Sequence, residues 1–158
     1  MMDEELILQT LSERMSIVRW QRVGDPPAAR FFETMSRRVK IFSDVSGSQQ
    51  PACFQAEWAT DENQISGMPY KTVLGVNWII YQNVAKDKSS FGATENNLIL
   101  GGVRRALAPQ PTDVGFPDRR NTLGQLVYHC YISGRIFKDP GDIDGQGMMV
   151  IPIKLLVP

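Results

Sequence analysis

The last quarter of the chain constrains the fold most, because two segments there alternate with a period of two. Leu126, Tyr128, Cys130, Ile132 and Ile136 share one parity; His129, Tyr131, Ser133, Arg135 and Phe137 share the other. Beyond Asp139-Pro-Gly-Asp-Ile-Asp-Gly145, the residues Met149, Ile151, Ile153, Leu155 and Val157 fall on one parity and Lys154 on the other. A period of two puts alternate side chains on opposite faces of a strand, so each segment reads as a strand with one buried face. The Asp, Pro and Gly between them are residues that reverse a chain. The pattern predicts a long hairpin, 126–138 against 146–157, whose limbs exceed the roughly five or six residues of a common strand and can form the spine of a sheet. Pro152 has no N–H for a ladder, which places its strand at an edge or turns the missing donor away from the neighbour.

Upstream, Asp3 is positioned to cap a helix from Glu4 to Arg19, with Ile7, Leu11, Met15 and Val18 at helical spacing and Leu8 beside them. Glu4 and Glu5 in the first turn and Arg19 in the last complement its macrodipole. Gly24-Asp-Pro-Pro27 breaks the chain. Ser36–Phe42 is rich in β-branched and aromatic residues and reads as a strand. Ser43–Gln50 reads as loop, and Pro51–Ala59 as a returning strand with Phe54, Ala56 and Trp58 on one face. Tyr70–Val84 is the longest strand signal. Leu74, Val76, Trp78 and Ile80 face one way and Val73, Ile79 and Tyr81 the other, which predicts partial cover on both faces. Thr94 is placed to cap a second helix, Glu95–Ala108, which buries Ile99, Leu100, Val103, Ala106 and Leu107 and ends at Pro109 and Pro111. Gly101 and Gly102 inside it each cost about 1 kcal/mol against alanine, which suggests close packing or a kink.

An apolar helix stripe needs a sheet to lie on, so this order predicts an α+β domain. The expected architecture is a mainly antiparallel, or mixed, sheet with two helices packed on it and the long C-terminal hairpin. A single domain, 1–158, fits the length, with flexible loops near 60–69, 85–93 and 109–120. Lys+Arg and Asp+Glu both number 17, so no net field draws the molecule to nucleic acid or membrane, and any electrostatic role must come from local patches. No apolar run approaches membrane-spanning length, and Met-Met-Asp-Glu-Glu is unlike a secretory n-region, so a cytoplasm is the expected compartment.

Candidate chemistry is sparse. His129, the one histidine, stands on the polar parity of its strand without a ligand motif nearby, which points to a surface or packed role. Cys53 and Cys130 sit among unlike neighbours and read as reduced, packed thiols. Asp139, Asp142 and Asp144 before Gly145 evoke a cation loop, but the terminal bidentate Glu is missing and turn chemistry accounts for them. Gly101-Gly-Val-Arg-Arg lacks the ending of a phosphate loop, and no serine has nucleophile-elbow context. Three basic clusters remain: Arg37-Arg38 with Lys40, Arg104-Arg105, and Arg119-Arg120. With no aromatic stacking stripe beside them, they read as solvated charge or as contacts for an acidic partner or passing phosphates. No cofactor, metal or catalytic residue is expected, and the chain reads as a binding or structural piece.

Two pairs of strings carry a resemblance. The first is Ser36-Arg-Arg-Val-Lys-Ile-Phe-Ser-Asp-Val45 with Gln49-Gln-Pro-Ala-Cys-Phe-Gln-Ala-Glu-Trp58. The second is Thr122-Leu-Gly-Gln-Leu-Val-Tyr-His-Cys-Tyr-Ile-Ser-Gly-Arg-Ile136 with Gly145-Gln-Gly-Met-Met-Val-Ile-Pro-Ile-Lys-Leu-Leu-Val157. From Ser36 to the C-terminus the chain resembles the tail terminators of long, flexible-tailed bacteriophages. The resemblance implies a sheet flanked by helices and a ring of six copies that caps the tail tube at its final length. It implies the tail tube protein and the head connector or neck proteins as partners, with genomic DNA passing through the lumen without sequence-specific contact. It places the protein in the virion at the neck, and in the host cytoplasm during assembly. Candidate subunit or tube contacts are Arg37, Arg38 and Lys40, Asp61 and Glu62 in the polar tip Thr60–Pro69, and Asp139, Asp142 and Asp144. Two alternatives stay open: a head-completion or neck protein, and a monomeric cytoplasmic module that binds a peptide or ligand at an open sheet edge.

Overall fold

In the computed structural model, which describes residues 3–16, 32–63, 71–83, 92–109, 120–141 and 145–157, Asp3 opens the first helix. Its Oδ1 accepts the amide of Leu6 at 3.1 Å, satisfying one of the donors a helix start leaves unpaired. This helix, α1, spans Glu4–Ser16 and buries Ile7, Leu11 and Met15. The extension to Arg19, with Val18, lies outside the described residues.

Among the described residues, six strands follow the order β1 (Thr34–Ser36), β2 (Ala52–Asn63), β3 (Lys71–Asn83), β4 (His129–Ile132), β5 (Phe137–Asp139) and β6 (Gln146–Val157), with α2 (Gly92–Ala106) between β3 and β4. Across the sheet they run β1-β2-β3-β6-β4, and β5 also pairs with β6. The class is α+β, but the sheet is mixed rather than mainly antiparallel. β1 lies parallel to β2, with Met35 opposite Cys53. Parallel neighbours need a crossover, and residues 37–51 supply it, carrying the chain back to restart beside β1. The strand expected over Ser36–Phe42 therefore ends at Ser36, and a short 3-10 turn occupies Phe42–Asp44.

The spine is β3 with β6, paired from Thr72 opposite Val157 to Asn83 opposite Gln146. It is not the hairpin limb 126–138, which breaks into β4 and β5. Leu126 and Val127 both donate their amides to the carbonyl of Thr122, so the chain turns there, and Leu123 and Gln125 take positive φ values of 49° and 75°. Pro152 accounts for the second break. β6 has neighbours on both sides, so Pro152 does not mark an edge. Its carbonyl accepts the amide of Ser133 at 3.0 Å, which turns its donorless nitrogen toward the β4 side as well. Ile132 lies opposite Ile153 and Phe137 opposite Val150, so five steps on one limb match three on the other, and Ser133–Ile136 loops out where the donor is missing.

One sheet face and both helices enclose the main core. Trp78, Val76 and Ile80 of β3 meet Ile151 and Ile153 of β6, beneath Leu11 of α1 and Ile99 and Val103 of α2. Burying each such side chain contributes about 2 kcal/mol. α2 begins at Gly92, so Thr94 lies inside it and is not its cap. Helical-type bonding continues past Ala106, with the Leu107 amide on the Val103 carbonyl at 3.0 Å. A second cluster lies on the opposite face: Val45, Ala52, Phe54 and Tyr81, with Phe42, Ile79 and Met148 against it. β3 is thus covered on both faces at this end, as its two apolar parities predict.

Candidate functional site

At one lateral side of the sheet, β1 pairs only with Ala52–Phe54, so among the described residues no strand covers the outer edge of β2 beyond Phe54. A bulge interrupts β2 between Glu57 and Ala59. Trp58 falls at this bulge, and the second cluster does not reach it: Phe54 is fully buried, whereas Trp58 is 66% exposed. Its indole lies against Gly75, where an added Cβ would stand 3.4 Å from Ala59 Cβ and 4.0 Å from Trp58 Cε2. Leu8, Glu57, Trp58, Thr60 and Leu74 border an open groove of about 260 Å³ there. Asp61 and Glu62 follow, both exposed and opposite Val73 and Thr72. They sit on a strand, because Thr60–Asn63 extends β2 and is not part of a tip; residues 64–70 lie outside the described ones.

The predicted basic trio does not act as one patch. Arg37 turns inward: Nη1 donates to Glu5 Oε1 at 2.5 Å and Nε to Glu57 Oε1 at 2.5 Å, tying α1 to β2. Bidentate geometry on both carboxylates strengthens such bonds. They hold the guanidinium pKa above its usual value, and the Arg37 hydrogen bond holds the Glu5 carboxyl below its own. Arg38 and Lys40 are exposed. The Arg38 amide donates to Ser36 Oγ at 3.1 Å, and the Lys40 carbonyl accepts the Tyr81 hydroxyl at 2.8 Å, drawing residue 40 toward the face of the second cluster.

The other lateral side carries β4, the Ser133–Ile136 excursion and β5. Tyr128 is 59% and Phe137 50% exposed, and Arg135 and Lys138 face solvent. Lys138 Nζ donates to Asn97 Oδ1 at 3.3 Å. Asp139 Oδ1 accepts the Gly141 amide at 2.9 Å, and its carbonyl accepts Asn96 Nδ2, so it shapes the turn after β5. Asp142 and Asp144 lie outside the described residues, as does the loop segment 110–119 and residues 84–91.

Near this side, Arg14 of α1 donates to Asn121 Oδ1 at 2.5 Å, and the Asn121 amide donates to His129 Nδ1 at 3.2 Å. The imidazole stacks on Tyr131 with centroids 5.0 Å apart. Burial disfavours the imidazolium and holds the His129 pKa below its ordinary value, with the nearby Arg120 charge acting the same way. Cys53 and Cys130 are buried free thiols, and burial pushes the Cys53 thiol far up, which makes it inert.

Reading the sequence missed Trp58 and Tyr128 as surface features, whereas Arg135 and Phe137 are exposed on the parity opposite the buried face, where the reading put them. The parity of the strings assigned Trp58 and Tyr128 to buried faces, but Trp58 lies at a bulge and Tyr128 just after a turn, and both are exposed. No protein-family model matches the chain, and no curated protein matches it significantly.

Proposed function

We propose that the chain is a structural virion protein of the tail-terminator kind: a ring, of six copies, that caps the tail tube and ends its polymerisation. Its outer surface receives the connector or neck proteins of the head, and the genome passes through the lumen without sequence-specific contact. On this reading the chain works at the neck of the virion and assembles in the host cytoplasm. It catalyses no reaction and holds no cofactor or metal.

The observation that carries this reading is where the resembling strings fall. Segments 36–45 and 49–58 form the end of β1, the turns after it and the first half of β2. Segments 122–136 and 145–157 form β4 and β6 with the turn and excursion around them. The strings therefore reach both lateral sides of one sheet, at β1 and at β4, the places through which copies can meet. A growing tube presents the same face after each added ring and has no intrinsic end. A cap must match that face on one side and differ on the other, which requires contact geometry rather than an active site.

The test is to remove the reading frame from the phage genome that carries it and image the particles by negative stain. Overlong tails without heads are the expected result. Tails of normal length beside unjoined heads would instead identify a neck or head-completion protein. Normal virions would remove the chain from assembly altogether.

A further inference from the structure

We propose that the stretch of β2 from Glu57 to Asn63 takes a basic, extended segment of a partner protein as an added strand, with one apolar side chain of that segment seated beside Trp58. The surface and its occupant are read from the strand edge itself. They go beyond the ring reading and hold whether or not copies of the chain meet.

β1 covers β2 only as far as Phe54, which lies opposite Ser36. Past the bulge, Ala59–Asn63 pairs without a break with Gly75–Lys71, so this part of β2 is a regular strand. Among the described residues, neither a strand nor a backbone hydrogen bond from outside the sheet reaches its other side. A strand paired on one side only presents a row of N–H and C=O groups on the other, which is the template for strand addition. Beside this stretch opens the groove bordered by Leu8 of α1, Trp58, Thr60 and Leu74. Leu8 and Leu74 give it apolar walls, and the exposed indole of Trp58 is the kind of side chain that anchors interfaces. An added strand sends alternate side chains to one face of the sheet, so one of them can enter the groove while its neighbours point away.

Charge decides what the edge admits. Arg37 is held by Glu5 and Glu57, and these three groups together carry one net negative charge. Asp61 and Glu62 stand exposed beyond the bulge. As consecutive residues of a strand they point to opposite faces, so a strand laid against them meets a carboxylate on either face. Arg38 comes two residues after Ser36, which is level with Phe54, so it falls short of them along the strand. Open edges of natural sheets are commonly blunted with lysine, which turns other strands away. Here the exposed charge is acidic. Two such edges placed together repel, whereas a segment carrying lysine or arginine is drawn in, so the edge selects against a second copy of itself and for a basic partner.

The experiment titrates the full chain with three short synthetic peptides at low ionic strength, by isothermal calorimetry. One alternates lysine with valine and leucine. The second carries glutamate in place of lysine. The third is the lysine peptide N-methylated at every amide, which keeps its charge and side chains but cannot donate to a ladder. The lysine peptide binds, and the other two bind at least about tenfold more weakly. Asp61→Lys with Glu62→Lys reverses the preference between the first two peptides. Trp58→Ala weakens the lysine peptide by about tenfold. All three side chains are exposed, and circular dichroism verifies that both variants fold. A lysine peptide that does not bind, or variants that bind it as the wild type does, overturns the proposal. Equal binding of the N-methylated peptide overturns it too, because charge would then attract without a strand being added. So does self-association in sedimentation velocity that excludes the lysine peptide and is lost in Trp58→Ala, since a second copy would then hold the edge.

Discussion

The indole Nε1 of Trp78 donates to Gln55 Oε1 at 3.1 Å, with both side chains fully buried. Gln55 Nε2 passes the link on to the Leu8 carbonyl at 2.9 Å, so one amide side chain ties β3, β2 and α1 together. Gln55→Leu would leave an indole N–H and a carbonyl without their partner. The expected cost is about 2 kcal/mol, since an unpaired buried polar group loses its hydration without replacement. Urea unfolding followed by tryptophan emission measures it, and an unchanged midpoint would refute the link.

Gly134 stands over Pro152 with φ +107°, and an added Cβ would lie 3.7 Å from the proline Cγ, an ordinary contact. Backbone strain, not crowding, therefore sets the cost of Gly134→Ala. A loss of about 1–2 kcal/mol is expected, read as a fall in thermal midpoint of a few degrees. A variant as stable as the wild type would mean that residues 133–136 relax freely.

Arg37→Gln removes the clamp between α1 and β2. The Arg37–Glu57 pair is the more sheltered half, and the expected loss is within about 1 kcal/mol, shrinking as salt is added. The acid limb gives the sign. Arg37 depresses the folded pKa of Glu5, so its contribution is present above the unfolded value near 4.5 and disappears as pH falls through the folded value. Stability curves of the wild type and the variant should converge at low pH and separate above it; parallel curves would contradict the assignment.

His129 titrates in a different window. Its folded pKa lies below the unfolded 6.5, so stability is full above pH 6.5 and declines as pH falls toward the folded value, because the unfolded chain binds the proton first. The Asn121 amide bond to Nδ1 exists only while that nitrogen is unprotonated. His129→Gln should flatten the stability profile just below pH 6.5. A decline of the same size in the variant would assign the titration elsewhere.

Residue by residue, the elements with long, uniform patterns were the legible ones. Ile7, Leu11 and Met15 are buried as their spacing requires, and so are Leu74, Val76, Trp78 and Ile80, and Met149 through Val157 on alternate positions. Local chemistry also placed the Asp3 cap and the turn before β6. The candidate site was far less legible. Arg37 looked like a surface cation because nothing in a linear reading announces that Glu5 and Glu57 converge on it from two other elements.

By itself, the amino-acid order determined that apolar parity makes β3 and β6 strands and apolar stripes make α1 and α2, because these periodicities are properties of the local backbone. Only the tertiary structure decided how strands adjoin and what covers them: β1 parallel to β2, Pro152 inside the sheet opposite a break in its neighbour, and Trp58 at a bulge beyond the reach of the second cluster. The reason is physical. Register and neighbour choice are set by hydrogen-bond ladders and packing between residues far apart in the chain, and a shift of a single residue exchanges the buried and exposed faces.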